Sequence, residues 1–521
     1  MKGAAAAAAL ARPALAQPAN ARTLRYVPQA DLTVIDPVVT TAYITRHHGL
    51  MVWDQLYGLD AQLRPQPQMV EGHTVEDDGK RWTFRLREGL LFHDGELVRG
   101  RDCVASIKRW AARDGLGQVL MSRVAEMAAP DDRSFTIRLD RPFGPMLDAL
   151  AKIGPPALFI MPERLAATDP SQQIKEVIGS GPFRFLPGER IVGARMGYER
   201  NPAYRPREGG EASWAAGPKI VHFDRVEWII MPDPATSAGA LQAGEVDWWE
   251  NPPNDLLPVL RRGRDLRVKR ASPLGVIGTG VFNCLHPPFN NPAVRRAVLR
   301  ATSQAELMMA GAGADPELWR DGVGVFTPGT PLANDAGLEA VTAPRDLERS
   351  KRELREAGYK GEKVVMLAPS DQSVLAVLGE VGRDLLQRIG MDVELRVSDW
   401  GTVVQRRASR EPVEKGGWSM FHTTWNGLDA INPGVMNHLR AGGQNAWFGW
   451  PDVPRLEELR LSWFDAPDLP AQKRVAEDIQ REFLQSAPVL PTGQYFYSTA
   501  YRRTITEPPS EVFAFWGVKP A

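Results

Sequence analysis

The groups that could do chemistry in this chain are few and scattered. His93-Asp94-Gly95 joins an imidazole to a carboxylate, the couple that proton transfer uses. One His with one Asp is not a site, however, and Asp-Gly is the chemistry of a left-handed turn, so the tripeptide reads as structure. Asp77-Asp78 reads as a solvated hairpin tip and not as an acid pair. Gly179-Ser180-Gly181-Pro182 reads as a backbone crossing and not as a phosphate cradle. Arg295-Arg296 reads as the exposed face of a helix in preference to an anion clamp. His47-His48, His422 and His438 carry imidazoles that could gather around a metal, but adjacent histidines are more often ordinary, so no metal site is expected. GxSxG, the Walker glycine loop, HExxH and CxxC are all missing, so a secreted hydrolase, the rival from another class, lacks a recognisable nucleophile, acid pair or metal. Neither catalysis nor a cofactor is expected.

The elements that would position these residues alternate along the chain. Thr23 to Val27 alternates as a strand, and Ile44 to Leu56 has helical apolar spacing. Asp77-Asp78-Gly79-Lys80 turns a hairpin into Arg81 to Leu86, Arg101 to Ala112 is amphipathic, and Ser134 to Leu139 alternates again. Later come a strand at 225–231, a helix at 234–243 stopped by Gly244, helices at 291–301 and 344–357, and a strand at 363–367. A long helix at 372–389 ends at Gly390, a strand comes next at 393–397, and a final helix runs over 471–486. The pattern is α/β with antiparallel pieces and no short repeat.

The chain has 521 residues, 43% hydrophobic and 24% charged, which is more than one core's worth of globular sequence. Lys and Arg balance Asp and Glu at 63 each, so no global field attracts nucleic acid or an acidic membrane. Gly3 to Leu15 is small and apolar, and Ala14-Leu15-Ala16 before Gln17 has the form of a signal-peptide cleavage site. Many twin-arginine leaders place Lys-Gly after their arginines and ahead of an alanine run, so a start further upstream is expected; the other reading is an Ala-rich tail. No stretch approaches the roughly 20 apolar residues of a membrane span. Cys103 and Cys284 lie far apart, and one disulfide or two isolated thiols both fit.

Residues 56–59 and 80–89, Phe92-His93-Asp94-Gly95, and Asp102 to Arg109 together resemble the signature of family 5 extracellular solute-binding proteins. These are the dipeptide-, oligopeptide- and nickel-binding receptors of ABC importers. Gly179 to Phe183, Glu199 to Tyr204, Ala240 to Asp247, Asn283 with Pro287-Pro288-Phe289, and Val294 to Ala297 resemble further hallmarks in the family's order. So do Ala357-Gly358-Tyr359, Ile389 to Leu395 and Ala487 to Pro491, and the resemblance covers residues 22 to 521.

The resemblance implies an α/β, two-lobed periplasmic binding protein fold with a hinge and an interlobe ligand cleft. After residues 1–21, signal-peptide remnant and linker, lobe I would comprise 22–274 with 486–521, and lobe II 275–485. It implies a periplasmic, monomeric receptor that captures peptides or related small solutes and delivers them to an inner-membrane ABC permease complex. An oligosaccharide, an amino-acid amide or a nickel complex is the alternative cargo. In peptide-binding members an acid after a Trp-containing strand pairs with the ligand ammonium; here that strand resembles 421–427, and Asp429 is the match, with a loop cap as its other reading. Trp425 and Asn426 adjoin it, and the loop Val39 to Tyr43 implies Thr41 and Tyr43 from lobe I. Trp400, Trp447, Phe448 and Trp450 are candidate cleft aromatics. The segment 367–372, where dipeptide-binding members commonly supply an arginine for the ligand carboxylate, has none. It offers Asp371, as a ligand group or as a helix cap. That departure puts recognition of a free carboxylate in doubt.

Overall fold

Thr23–Val27 alternates side chains as expected and sits in the middle of a seven-stranded sheet. It pairs in parallel with Arg225–Ile229 on one side and with Trp248–Trp249 on the other. Arg195–Arg200 and Phe183–Ile191 extend that sheet on one side, and Ser498–Arg502 and Leu266–Arg270 on the other. In this computed structural model the described residues are 22–521, so the leader expected before Gln17 lies outside them.

A second sheet of six strands has the order Trp319–Arg320, Val489–Tyr495, Val276–Phe282, Met420–Asn426, Val364–Pro369, Val393–Ser398. Its last three strands run parallel, and helix Ser373–Arg388 makes the crossover between Val364–Pro369 and Val393–Ser398. Parallel strands need such a crossover, since a tight turn only reverses direction. The chain passes between the two large sheets at Ala271–Gly275 and again at Phe496–Tyr497. These passages lie side by side, tied by the Ala271 N–H to the Tyr497 carbonyl at 2.9 Å. The return to the first sheet was expected at 486; it falls later, because Val489–Tyr495 still pairs with Val276–Phe282.

The hairpin Val70–Glu76 with Arg81–Leu86 forms as its Asp-Asp-Gly turn predicts, and with Ser134–Leu139 and Val124–Asp131 it makes a four-stranded sheet. That sheet belongs to the N-terminal half of the sequence. Its core nevertheless runs without a break into residues far along the chain such as Leu456, Trp463 and Phe483. The expectation of a surface face at Arg295-Arg296 holds for Arg296, which is exposed, and is corrected for Arg295, which is buried. It donates to the carbonyls of Phe289, Ser486 and Ala487, tying two helix ends together. Three carbonyls satisfy a guanidinium without a carboxylate, and no sequence spacing announces this. Cys103 and Cys284 are both free thiols. Among the described residues no helix is long and apolar enough to cross a membrane.

Candidate functional site

The cleft lies where several parallel strands end together, the usual position for ligands in open α/β sheets. On one wall, Gln29, Asp31 and Thr33 come after the carboxyl end of Thr23–Val27, and Thr40 to Ile44 enter helix Tyr43–Val52. On the other wall, Gln372 comes after Val364–Pro369, Trp400 after Val393–Ser398, and Thr423 to Trp425 close Met420–Asn426. The enclosed space is about 310 Å³.

Tyr43 joins the walls. Its hydroxyl donates to Asp429 Oδ2 at 2.5 Å and accepts the Asn426 N–H at 2.9 Å. Asp429 is 6% exposed and sits on the short 3₁₀ turn Gly427–Ala430. Gly154 packs so close to Asp429 Oδ1 that a Cβ there would overlap it. Burial raises the pKa of Asp429; the Tyr43 hydrogen bond and the fields of Arg46 and Lys152 pull it down, and Asp114 opposes them. A carboxylate held this way gains from a cation brought into the cleft.

The other wall is aromatic. Phe421, Thr423 and Trp425 alternate onto one face of their strand, where Trp425 meets Trp447 edge-on at 4.9 Å between centroids. The Trp425 indole N–H donates to Thr279 Oγ1 at 3.1 Å, and its ring lies 4.9 Å from that of His438. Trp400 opens the helix Trp400–Arg406, whose first turn is satisfied by two acids. The Asp399 carboxylate accepts the Thr402 N–H, and Asp371 Oδ1 accepts the Trp400 N–H at 2.8 Å. Arg407, just past that helix, lines the same cleft.

The chain matches the family described as bacterial extracellular solute-binding proteins, family 5 Middle, over residues 64–447. It is 39% identical to the probable peptide ABC transporter periplasmic-binding protein y4tO of Sinorhizobium fredii over 510 residues, 97% of this chain and 95% of that one. The chain belongs to this family. It is a solute-binding receptor, and its fold is the two-lobed periplasmic binding protein fold. The binding protein AgaA of A. tumefaciens R10, solved with agropinic acid, superposes with a TM-score of 0.81 at 20% identity, covering 96% of this chain and 99% of that one. The dipeptide-binding protein of Pseudoalteromonas sp. SM9913, solved with Met-Leu, superposes with a TM-score of 0.79 at 18% identity, covering 96% of this chain and 100% of that one.

Within this receptor the expected residues converge unevenly. Thr41, Tyr43, Trp400, Trp425, Asp429 and Trp447 all line the cleft. Asn426 takes part through its backbone N–H. Asp429 does not cap a loop: its carboxylate meets a tyrosine from the opposite wall, and among the described residues no backbone N–H donates to it. Phe448 stands behind the wall, against the Arg407 guanidinium, 4.8 Å from its carbon to the ring centroid. Asp371 needs correction on both readings. It neither lines the cleft nor caps helix Ser373–Arg388, since it is drawn onto the Trp400 N–H, and its neighbour Gln372 faces the ligand space instead. Trp450 is buried core. Gln29, Asp31, Gln372, Thr423 and Arg407 were not foreseen; the Arg406-Arg407 doublet was visible but looks like any helix end.

The histidines disperse. His47 contacts Arg46 Nη2 and His48 contacts the Tyr198 hydroxyl, each at 3.0 Å, while His422 faces Gly382 of helix Ser373–Arg388 and the His438 ring lies tilted against that of Trp425. Among the described residues no three metal-ligating side chains come together.

Proposed function

We propose that this receptor captures peptides, or amino-acid-derived solutes that keep a free ammonium group, and presents them to an inner-membrane ABC permease from the periplasm. The reading rests on one observation: a buried carboxylate, Asp429, is held at the cleft wall by Tyr43, and among the described residues no cation is paired to it. A ligand ammonium placed there replaces lost hydration with a charge-assisted hydrogen bond. Closure of the two walls over the ligand then results from contacts made to both. The name of the 39% identical relative, a probable peptide ABC transporter periplasmic-binding protein, points the same way.

The test is a thermal-shift panel on the chain from Gln17: dipeptides, oligopeptides, their N-acetylated forms, amino-acid amides, oligosaccharides and Ni²⁺. A ligand at a hundred times its Kd adds about 2.7 kcal/mol of stability. Peptides with a free amino terminus should stabilise the protein, their N-acetylated forms should not, and Asp429→Asn should abolish the shift. Stabilisation by oligosaccharide or metal alone, or equal stabilisation by blocked peptides, refutes the peptide reading.

A further inference from the structure

Arg407 is a buried cation with nothing to neutralise it. The residue is 8% exposed, yet among the described residues no carboxylate lies within ion-pairing distance and no acceptor takes a hydrogen bond from its guanidinium, and its Nε is fully enclosed without a partner. Four of the other buried arginines among the described residues are held differently. Arg109 reaches both oxygens of Asp36, Arg123 reaches Asp465, Arg460 reaches Glu457, and Arg295 takes three carbonyls. Arg46 also keeps Nε and Nη1 without a partner, but it contacts His47 through Nη2, and Glu250 and Glu511 both feel its field, so acids lie near it.

Three aromatic rings stand around Arg407. The guanidinium carbon lies 5.5 Å from the Trp400 centroid, 5.2 Å from Trp447 and 4.8 Å from Phe448. Aromatic rings hold a guanidinium in place, but they accept none of its in-plane hydrogen bonds. The fork therefore stays unsatisfied while its orientation is set, and it borders the same space as Trp425 and Asp429. Burial lowers the pKa of Arg407 to about 10, so it remains charged at neutral pH.

We propose that Arg407 is the anion-binding end of the cleft, where the aromatic cage presents the guanidinium to a carboxylate of the ligand. The assignment deepens the proposed function, resting on the same cleft, and narrows the cargo to solutes with both a free ammonium and a free carboxylate. The doubt raised by the missing arginine in 367–372 is answered by a residue on a different element. The planar fork suits a carboxylate bidentately, and a neutral amide cannot return that match.

The experiment is calorimetric titration of wild type, Arg407→Gln and Arg407→Lys with matched pairs: dipeptides and their C-terminal amides, and N-acetyl amino acids and sugar acids with their amides. Wild type should bind each acid about 10- to 150-fold more tightly than its amide, the range of a hydrogen bond to a charged group. Arg407→Gln should remove that preference by weakening the acids and leaving the amides unchanged, and Arg407→Lys should restore only part of it. The ligand-free Arg407→Gln protein should melt at or above the wild-type temperature, since it loses an unpaired buried charge; a structural arginine would lower it. Acids and amides binding wild type equally, equal weakening of both by Arg407→Gln, or no carboxylate-bearing solute binding at all overturns the assignment. The two readings fail separately. Peptides that bind without an acid preference leave the peptide reading intact and remove Arg407. Sugar acids that bind with the preference while peptides do not keep Arg407 and remove the peptide reading.

Discussion

Replacing Glu250 with glutamine should flatten the pH dependence of this protein's stability. Glu250 is 1% exposed behind the cleft, where its carboxylate accepts the Tyr26 hydroxyl at 2.5 Å and both the backbone and side-chain N–H groups of Gln29, at 2.8 and 3.0 Å. Burial raises its pKa from 4.5 to about 7 against the pull of those hydrogen bonds and of Arg46. The folded pKa lies above the unfolded one, so the folded state holds the extra proton between the two values. The associated stability is complete below about pH 4.5 and is lost as pH rises through about 7. That displacement corresponds to about 3 kcal/mol by pH 8. Burial raises Glu511 to about 7 as well, so wild type carries a second group with the same pH dependence, and the informative quantity is the difference between proteins. Chemical unfolding at pH 5 and pH 8 measures it. At pH 5 the Glu250→Gln protein should lie within about 1 kcal/mol of wild type, since an amide replaces a neutral carboxyl. Between pH 5 and pH 8 the variant should lose about 2.5 kcal/mol less than wild type, because part of the effect is already gone at pH 5. Equal losses would refute the claim that Glu250 is held protonated by burial.

Two further changes probe the tie across the cleft. Tyr43→Phe leaves the Asn426 N–H and the Asp429 carboxylate without their shared partner, and should lower stability by about 1–3 kcal/mol with an unchanged far-ultraviolet dichroism spectrum; an unaltered melting temperature would mean that the bridge carries no energy. Gly154→Ala drives a methyl into Asp429 Oδ1. It should weaken ligands with a free amino terminus by about tenfold or more, about 1.4 kcal/mol, in a titration where N-acetylated ligands show no change; parallel weakening of both would remove Asp429 as the ammonium partner.

Local chemistry made much of this molecule readable in advance. Ser134–Leu139 and Thr23–Val27 alternate because one face is buried, and Pro234–Ala243 begins at its Asp233 cap and ends at Gly244 with φ +81°. The family pattern led to Asp429, Trp425 and Tyr43, which the fold brings to one cleft although Tyr43 and Asp429 are 386 residues apart. Asp371 shows where local reasoning stops. It stands one residue before a helix N-cap, as a capping acid would, yet another helix start 29 residues on takes its carboxylate.

From the sequence alone came the order of strands and helices, their turns and caps, and the family, because these depend on neighbours within a few positions or on motifs in a fixed order. Only the tertiary structure decided which polar groups are left without partners. Arg295 and Arg407 each carry the same guanidinium at or near a helix end. One is satisfied by three carbonyls from remote segments, while the other is enclosed by three rings that cannot accept its hydrogen bonds. Hydrogen bonding to a buried charge is set by which atoms lie within about 3 Å of it, and packing of distant elements alone determines that.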